Sequence, residues 1–207
     1  MGIDRAGVPF IAVALVPAIL VSAFWGIGAG APFWAAAVLL AGFFRDPHRS
    51  VPAVPGAVVA PADGKVMVAG DPEPGVAPPG EWIQFSIFLS PFDVHVNRVP
   101  VSGRITRIDH RPGRYVPAYS PHASTENERN EIWIERDGQA VVCRQIAGVL
   151  VRRVVCRLER GMAVQAGDRF GIMKFGSRVD VFLPRGVSLL VGIGSRVRGG
   201  ETIVARI

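Results

Sequence analysis

Between residues 7 and 44 the chain carries no charged side chain, and no other feature limits its folding so strongly. An apolar run of that length exceeds the 7–15 residue core of a secretory signal, and Asp4 and Arg5 make a poor basic lead-in to one. A membrane-spanning helix needs ~20 apolar residues. Here the run divides into two lobes, residues 8–24 and 31–44, joined by Gly26-Ile27-Gly28-Ala29-Gly30. The expected structure is an apolar helical hairpin in or on a membrane. Arg45, His48 and Arg49 follow at once, and cations at that place favour the cytoplasmic face. The alternative is a helical hairpin buried in a soluble core.

After residue 50 the pattern changes. Pro47, Pro52 and Pro55 make a stiff linker, and short β-type runs follow, punctuated by Gly and Pro. Strands are expected at 57–60, 65–69, 82–89, 103–110, 131–136, 140–146, 170–175, 179–183, 188–190 and 202–205. Residues 70–80 hold four prolines and read as an exposed loop. The fold class expected is mainly β, an antiparallel sandwich or partly closed barrel, with the apolar hairpin at the N-terminus. Two domains follow: 1–50, membrane-associated, and 51–207, catalytic. Gly161-x-x-Val164-x-x-Gly167-Asp168 recurs as Gly194-x-x-Val197-x-x-Gly200-Glu201. Such a repeat suits a fold of two swapped-hairpin-like units.

The net charge is +6, and 21 of the 23 basic residues are arginine, which fits either a compositional bias or attraction to anionic lipid. No basic helix, aromatic–basic interleaving or zinc-finger spacing points to nucleic acid. Cys143 and Cys156 stand apart in apolar runs, with no CxxC pair and no metal-ligand spacing. Buried free thiols in a reducing compartment are expected.

The candidate nucleophile is Ser177. In Ile172-Met173-Lys174-Phe175-Gly176-Ser177-Arg178-Val179-Asp180 an apolar strand stops at glycine, a serine follows and a second strand begins. Glycine at 176 tolerates a strained turn and leaves its carbonyl open to the neighbouring hydroxyl. His95 lies between Pro91 and Pro100 in a segment that mixes polar and apolar residues. Asp63, in Ala62-Asp63-Gly64, reads first as a hairpin turn between two β runs. Together Asp63, His95 and Ser177 have the residue types of an acid–base–nucleophile relay.

Several segments together resemble phosphatidylserine decarboxylase in its short bacterial and archaeal form. They are Phe43-Phe44-Arg45-Asp46-Pro47-His48-Arg49, Ala60-Pro61-Ala62-Asp63-Gly64, the block 88–100, Asn127-Glu128-Arg129, Gln145-Ile146-Ala147-Gly148, Arg152-Arg153-Val154-Val155-Cys156 and Gly167-Asp168-Arg169-Phe170-Gly171 running into Phe175-Gly176-Ser177. They stand in the family's order and cover nearly all of the chain from Phe43 onward. The resemblance implies a proenzyme that cuts itself between Gly176 and Ser177 without hydrolysis, giving a β chain 1–176 and an α chain 177–207. These stay together as a heterodimer, with room for a higher oligomer.

By the same resemblance Ser177 becomes a covalent pyruvoyl group and no metal is used. That group forms a Schiff base with the amine of phosphatidylserine, and CO2 leaves to give phosphatidylethanolamine. Asp63 and Ser177 match the family's relay, and His95 matches its decarboxylation histidine. Arg98 stands where longer members carry a second histidine, so His95, His110 or His122 is left as the base for self-cleavage. Arg98, Arg129 and Arg178 are candidate contacts for the lipid phosphate or carboxylate. Two rival readings are a carrier domain modified on Lys174 and a serine lipid hydrolase, which would lack the Gly-x-Ser-x-Gly elbow.

Overall fold

The computed structural model describes residues 2–149, 154–173 and 177–207. It divides into two compact units, Met1–His48 and Arg49–Ile207.

In the first unit, strand β1 (Gly2–Ile3) is followed by helices α1 (Val8–Trp25) and α2 (Ile27–Phe43) and strand β2 (Arg45–Asp46). Strands β1 and β2 pair antiparallel, so the hairpin's ends meet. The break is a single residue, Gly26, at φ 85°; the remaining glycines of the expected joint lie inside α2. Small residues let the helices touch. A Cβ on Gly30 would fall 2.0 Å from Ser22 Oγ and 2.9 Å from the Ala18 carbonyl oxygen, and Trp34 Nε1 donates to Ser22 Oγ at 3.1 Å. Val13, Phe24, Trp25, Ile27, Val38 and Leu39 are all exposed. The helical stretch Arg5–Trp25 is long and apolar enough to cross a membrane.

The second unit contains strands β3 (Ala57–Val59), β4 (Gly64–Gly70), β5 (Trp82–Leu89), β6 (Val96–Arg98) and β7 (Gly103–Arg111), a short helix α3 (Ala123–Glu126), and strands β8 (Arg129–Arg136), β9 (Gln139–Ile146), β10 (Val154–Cys156), β11 (Ala163–Val164), β12 (Arg169–Met173), β13 (Ser177–Pro184), β14 (Arg196–Val197) and β15 (Ile203–Arg206). Eight strands form one antiparallel sheet in the order β11-β7-β8-β9-β13-β5-β4-β14. The sets β10-β12-β6 and β15-β3 form smaller sheets. Their Phe170, Met173, Val58, Val204 and Ala205 share one core with Phe85, Ile87, Ile132, Cys143, Val179 and Val181 of the large sheet. Each buried Val, Ile, Phe or Met side chain among them contributes about 1.5–3 kcal/mol by leaving water. Burial pushes the Cys143 thiol well above its ordinary pKa, and both cysteines are free.

The large sheet is two copies of one unit. Gly64 and Gly103 each open a strand pressed against a facing carbonyl: an added Cβ would fall 2.1 Å from Phe88 O and 2.3 Å from Glu135 O. Both hairpins shift register at matching points, Val66/Val68 and Ile105/Arg107. Arg98 N donates to Pro61 O at 2.8 Å and Val59 N to Pro100 O at 2.9 Å, a reciprocal pair expected of a two-fold. Strand β14 lies along β4 as β11 lies along β7. The repeated glycines 161, 167, 194 and 200 all have positive φ and supply the turns.

The equivalence fails at one end of the sheet. Strands β8 and β9 are joined through Asp137 and Gly138, both at positive φ, with Arg136 paired to Gln139. The matching pair in the other copy is Leu89 and Ser177. No turn joins these two. Strand β5 runs on toward His95, and the chain reaches Ser177 from β12. A closed hairpin in one copy thus corresponds in the other to two strand ends, Leu89 and Ser177, that no hairpin turn connects.

Some expectations change. Residues 70–80 are not simply exposed: Val76 is buried against Trp82, Val142 and Phe182. Asp63-Gly64 is not a hairpin turn, because β3 pairs with β15 and β4 with β5.

Candidate active site

Ser177 is the first residue of β13, opposite Leu89. Strand alternation puts it on the face of Val179 and Val181, toward the core. Its hydroxyl is fully buried and has no hydrogen-bond partner among the described residues. Leaving a hydroxyl in that state costs about 1–3 kcal/mol, which makes it an exception among native polar groups. Gly176 and Lys174, which carried the expected scissile bond and the rival carrier reading, lie outside the described residues.

His95 is brought to the same end of the sheet. The loop after β5 is closed by the Asp93 carboxylate, which accepts from Ser90 N at 2.8 Å and Ser90 Oγ at 2.7 Å. The Asp93 carbonyl oxygen lies 2.9 Å from His95 Nδ1. A carbonyl only accepts, so Nδ1 carries a proton, and in the neutral form of the ring the lone pair is on Nε2. The His95 carbonyl accepts from Met173 N at 3.2 Å, docking this residue on the end of β12, just before 174–176. Position 97, two residues on, shares the side of β6 with position 95. Asn97 Oδ1 accepts from Gln145 Nε2 at 2.7 Å, and Gln145 pairs with Val179, two residues into β13 from Ser177.

Asp63 lies at the same end. Lys65 pairs with Phe88, and Phe88 with Arg178. One residue further along, Gly64, Leu89 and Ser177 form a row, two strand spacings or about 10 Å across. The Asp63 carboxylate accepts from Gly199 N at 2.8 Å and pairs with Arg49 Nη2 at 2.7 Å. Arg49 also pairs with Glu201 at 3.3 Å. The Ser50 amide first, then Arg49 and Arg198, hold the Glu201 carboxyl below its ordinary range against the opposing effect of burial. No hydrogen bond joins Asp63 to His95 among the described residues. In the duplicated unit Ser102 does what Asp63 Oδ1 does, accepting from Ala166 N at 3.0 Å. That half of Asp63's bonding belongs to the fold; the contact with Arg49 has no counterpart there.

The three candidate arginines are each held by protein partners. Arg178 is fully buried, with Nε on Asp180 at 2.6 Å, Nη2 on Ser86 at 3.1 Å and a further ion pair to Glu73. Burial, which lowers its pKa, is outweighed by Asp180 and Glu73, and the guanidinium sits above its ordinary value. It therefore anchors β13 and is not open to a lipid. Arg98, 5% exposed, donates to the Gly167 carbonyl at 3.0 Å. Arg129 donates to the Thr125 carbonyl at 2.5 Å and lines an outer cavity. Of the other histidines, His110 lies 3.2 Å from Glu128 and His122 is exposed before α3. Sequence reasoning missed Arg49 as the partner of Asp63 and the Asp93 carbonyl as the partner of His95. The Asp-x-His spacing carried the second signal.

The sequence model of the phosphatidylserine decarboxylase family matches residues 37–205. The chain is 47% identical over 204 residues to the phosphatidylserine decarboxylase proenzyme of Nitrosomonas europaea, covering 98% of this chain and 94% of that protein. It is 43% identical over 209 residues to the protein of that name from Burkholderia multivorans, covering 99% and 96%. With the family's sequence pattern running through both smaller sheets and all of the large one, the chain belongs to the phosphatidylserine decarboxylase family and is a decarboxylase.

Proposed function

We propose that this chain decarboxylates phosphatidylserine with a pyruvoyl group made from Ser177 by self-cleavage after Gly176. The observation that carries the reading is the Ser177 hydroxyl: buried, without a hydrogen-bond partner among the described residues, and sited where the duplicated hairpin is left open. Its relatives' designation as proenzymes supports processing. Ser177 Oγ attacks the Gly176 carbonyl, and the peptide C–N bond breaks as the ester forms. Loss of the Ser177 α-proton expels the Gly176 carboxylate. The dehydroalanine left at 177 tautomerises, takes up water and releases ammonia, which leaves a ketone.

The pyruvoyl carbonyl supplies an electron sink for the charge released as CO2 departs. His95, with its lone pair on Nε2, is the group proposed to move protons: from the serine hydroxyl in the first stage, and onto the product's α-carbon in the second. Asp63 sets the charge at this end of the sheet through Arg49. The apolar hairpin keeps the enzyme at the membrane, where the lipid's acyl chains remain. Arg45 and Arg49 directly after it support a cytoplasmic catalytic unit.

Intact mass under denaturing conditions tests the reading. Two pieces dividing at 176/177, the smaller without a free amino terminus, are expected; a single chain that still releases CO2 overturns it. The pieces should co-migrate natively, because β13 pairs with both β5 and β9, β14 with β4 and β15 with β3.

Two substitutions separate fold from chemistry. Asp63→Ser should keep the Gly199 amide bonded, since a serine holds the equivalent amide in the other copy, and lose stability only through Arg49, which retains Glu201, yet lose most self-cleavage or turnover. Normal activity in this variant would remove Asp63 from the mechanism. His95→Ala should reduce CO2 release at least ~100-fold, the usual contribution of a positioned acid or base. Radiometric CO2 capture reads both.

A further inference from the structure

The side of the large sheet turned away from the Ser177 hydroxyl holds a cavity of about 160 Å³ beneath residues 75–79. Arg129, Glu131 and Trp133 of β8 line it, alternating with Ile132 and Ile134, which face the core. Arg107, Arg111 and Arg144 complete its basic lining.

The charges in this cavity do not balance. Arg107 pairs with Asp109, and Arg144 pairs with Glu131 at 3.3 Å. Arg111 and Arg129 have no acidic partner within ion-pair distance among the described residues. Arg111 stands directly across from Arg129 in the β7–β8 register. The Nε atoms of Arg129 and Arg144 are buried without hydrogen-bond partners among the described residues, and Arg144 is only 5% exposed. Burial first, then Arg144 and Arg111, lowers the Arg129 pKa. Anchoring the covering segments accounts for only part of this: Arg144 donates to the Val76 carbonyl at 2.9 Å and Arg129 to the Thr125 carbonyl. Those bonds do not need two surplus positive charges. A tetrahedral oxyanion supplies what is missing, since guanidinium forks match its oxygens and a cavity of this volume suits its size.

We propose that this cavity is a second oxyanion site, taking a phosphate group between Arg111, Arg129 and Arg144, apart from the place where lipid serine is decarboxylated. The phosphate is either free or part of a lipid head group. Titration calorimetry of the full-length enzyme in zwitterionic detergent, with chloride at matched ionic strength as the control, separates the two. Inorganic phosphate is one probe and glycerophosphoglycerol, a head-group phosphodiester, is the other. Saturable binding of phosphate alone assigns a free anion; binding of the diester at equal or higher affinity assigns a head group. In both cases Arg111→Gln and Arg129→Gln should each weaken binding about tenfold or more. Arg111 is exposed, so its variant decides the matter even if Arg129→Gln does not fold. Binding of neither probe, or binding that Arg111→Gln leaves unchanged, overturns the proposal.

Discussion

Ser177→Ala should yield one uncut chain of 207 residues with no decarboxylation above background. Its folding stability should match or slightly exceed that of an uncut reference. The substitution deletes one oxygen that has no hydrogen-bond partner among the described residues, and removing an unsatisfied buried hydroxyl relieves about 1–3 kcal/mol. Loss of activity and loss of fold are therefore expected to part company completely at this position. Denaturing gels, intact mass and a CO2-release assay on one preparation decide the chemistry, while a denaturant titration decides the fold. A variant that still divides at 176/177, or that decarboxylates as a single chain, rules out Ser177 as the precursor. A variant that unfolds would mean that the hydroxyl serves the core instead.

The sequence exposed the strands best where apolar and polar residues alternate against a single core. Strand β5 runs over Trp82–Leu89, the span expected for it, and the glycine-spaced repeat foretold the duplicated hairpins. Strand β6 was not foreseen: three residues between His95 and Val99 are too few for a period to show, and its pairing with β12 spans a long stretch of chain. The expected strand at 188–190 shrank to a single bridge, Leu189 to Ala205.

The candidate site residues were legible as types and not as partners. Ser177, His95 and Asp63 stood out in sequence, but nothing local told that Arg49, from the proline linker, would take the Asp63 carboxylate. The outer face of the sheet misled most. Arg178 and Asp180 alternate with Val179 and Val181, a pattern that ordinarily marks a solvated face. Here the proline-rich segment 70–80 and α3 lie over that face, and the charges are sealed beneath them.

That sealed network makes Asp180 the position where a single change should cost most stability. Asp180 is fully buried; it pairs with Arg178 Nε at 2.6 Å and accepts from Ser124 Oγ, which ties α3 to the sheet. Asp180→Ala leaves the Arg178 guanidinium buried with only Glu73 to balance it, and Glu73 is 28% exposed in its side chain. Removing one member of a buried pair typically costs about 3–5 kcal/mol. For a chain of this length that corresponds to roughly 6–20 °C in melting temperature. Replacing both partners, Arg178→Met with Asp180→Leu, should recover most of the loss, because apolar side chains of similar volume remove the charge along with its desolvation. Thermal melts of the two variants separate the explanations. If Asp180→Ala melts within 2 °C or so of wild type, the cover over this face must admit water. If the single variant is unstable and the pair is restored, the ion pair is a burden the fold tolerates because it fixes β13, and Ser177 with it, at the open end of the sheet.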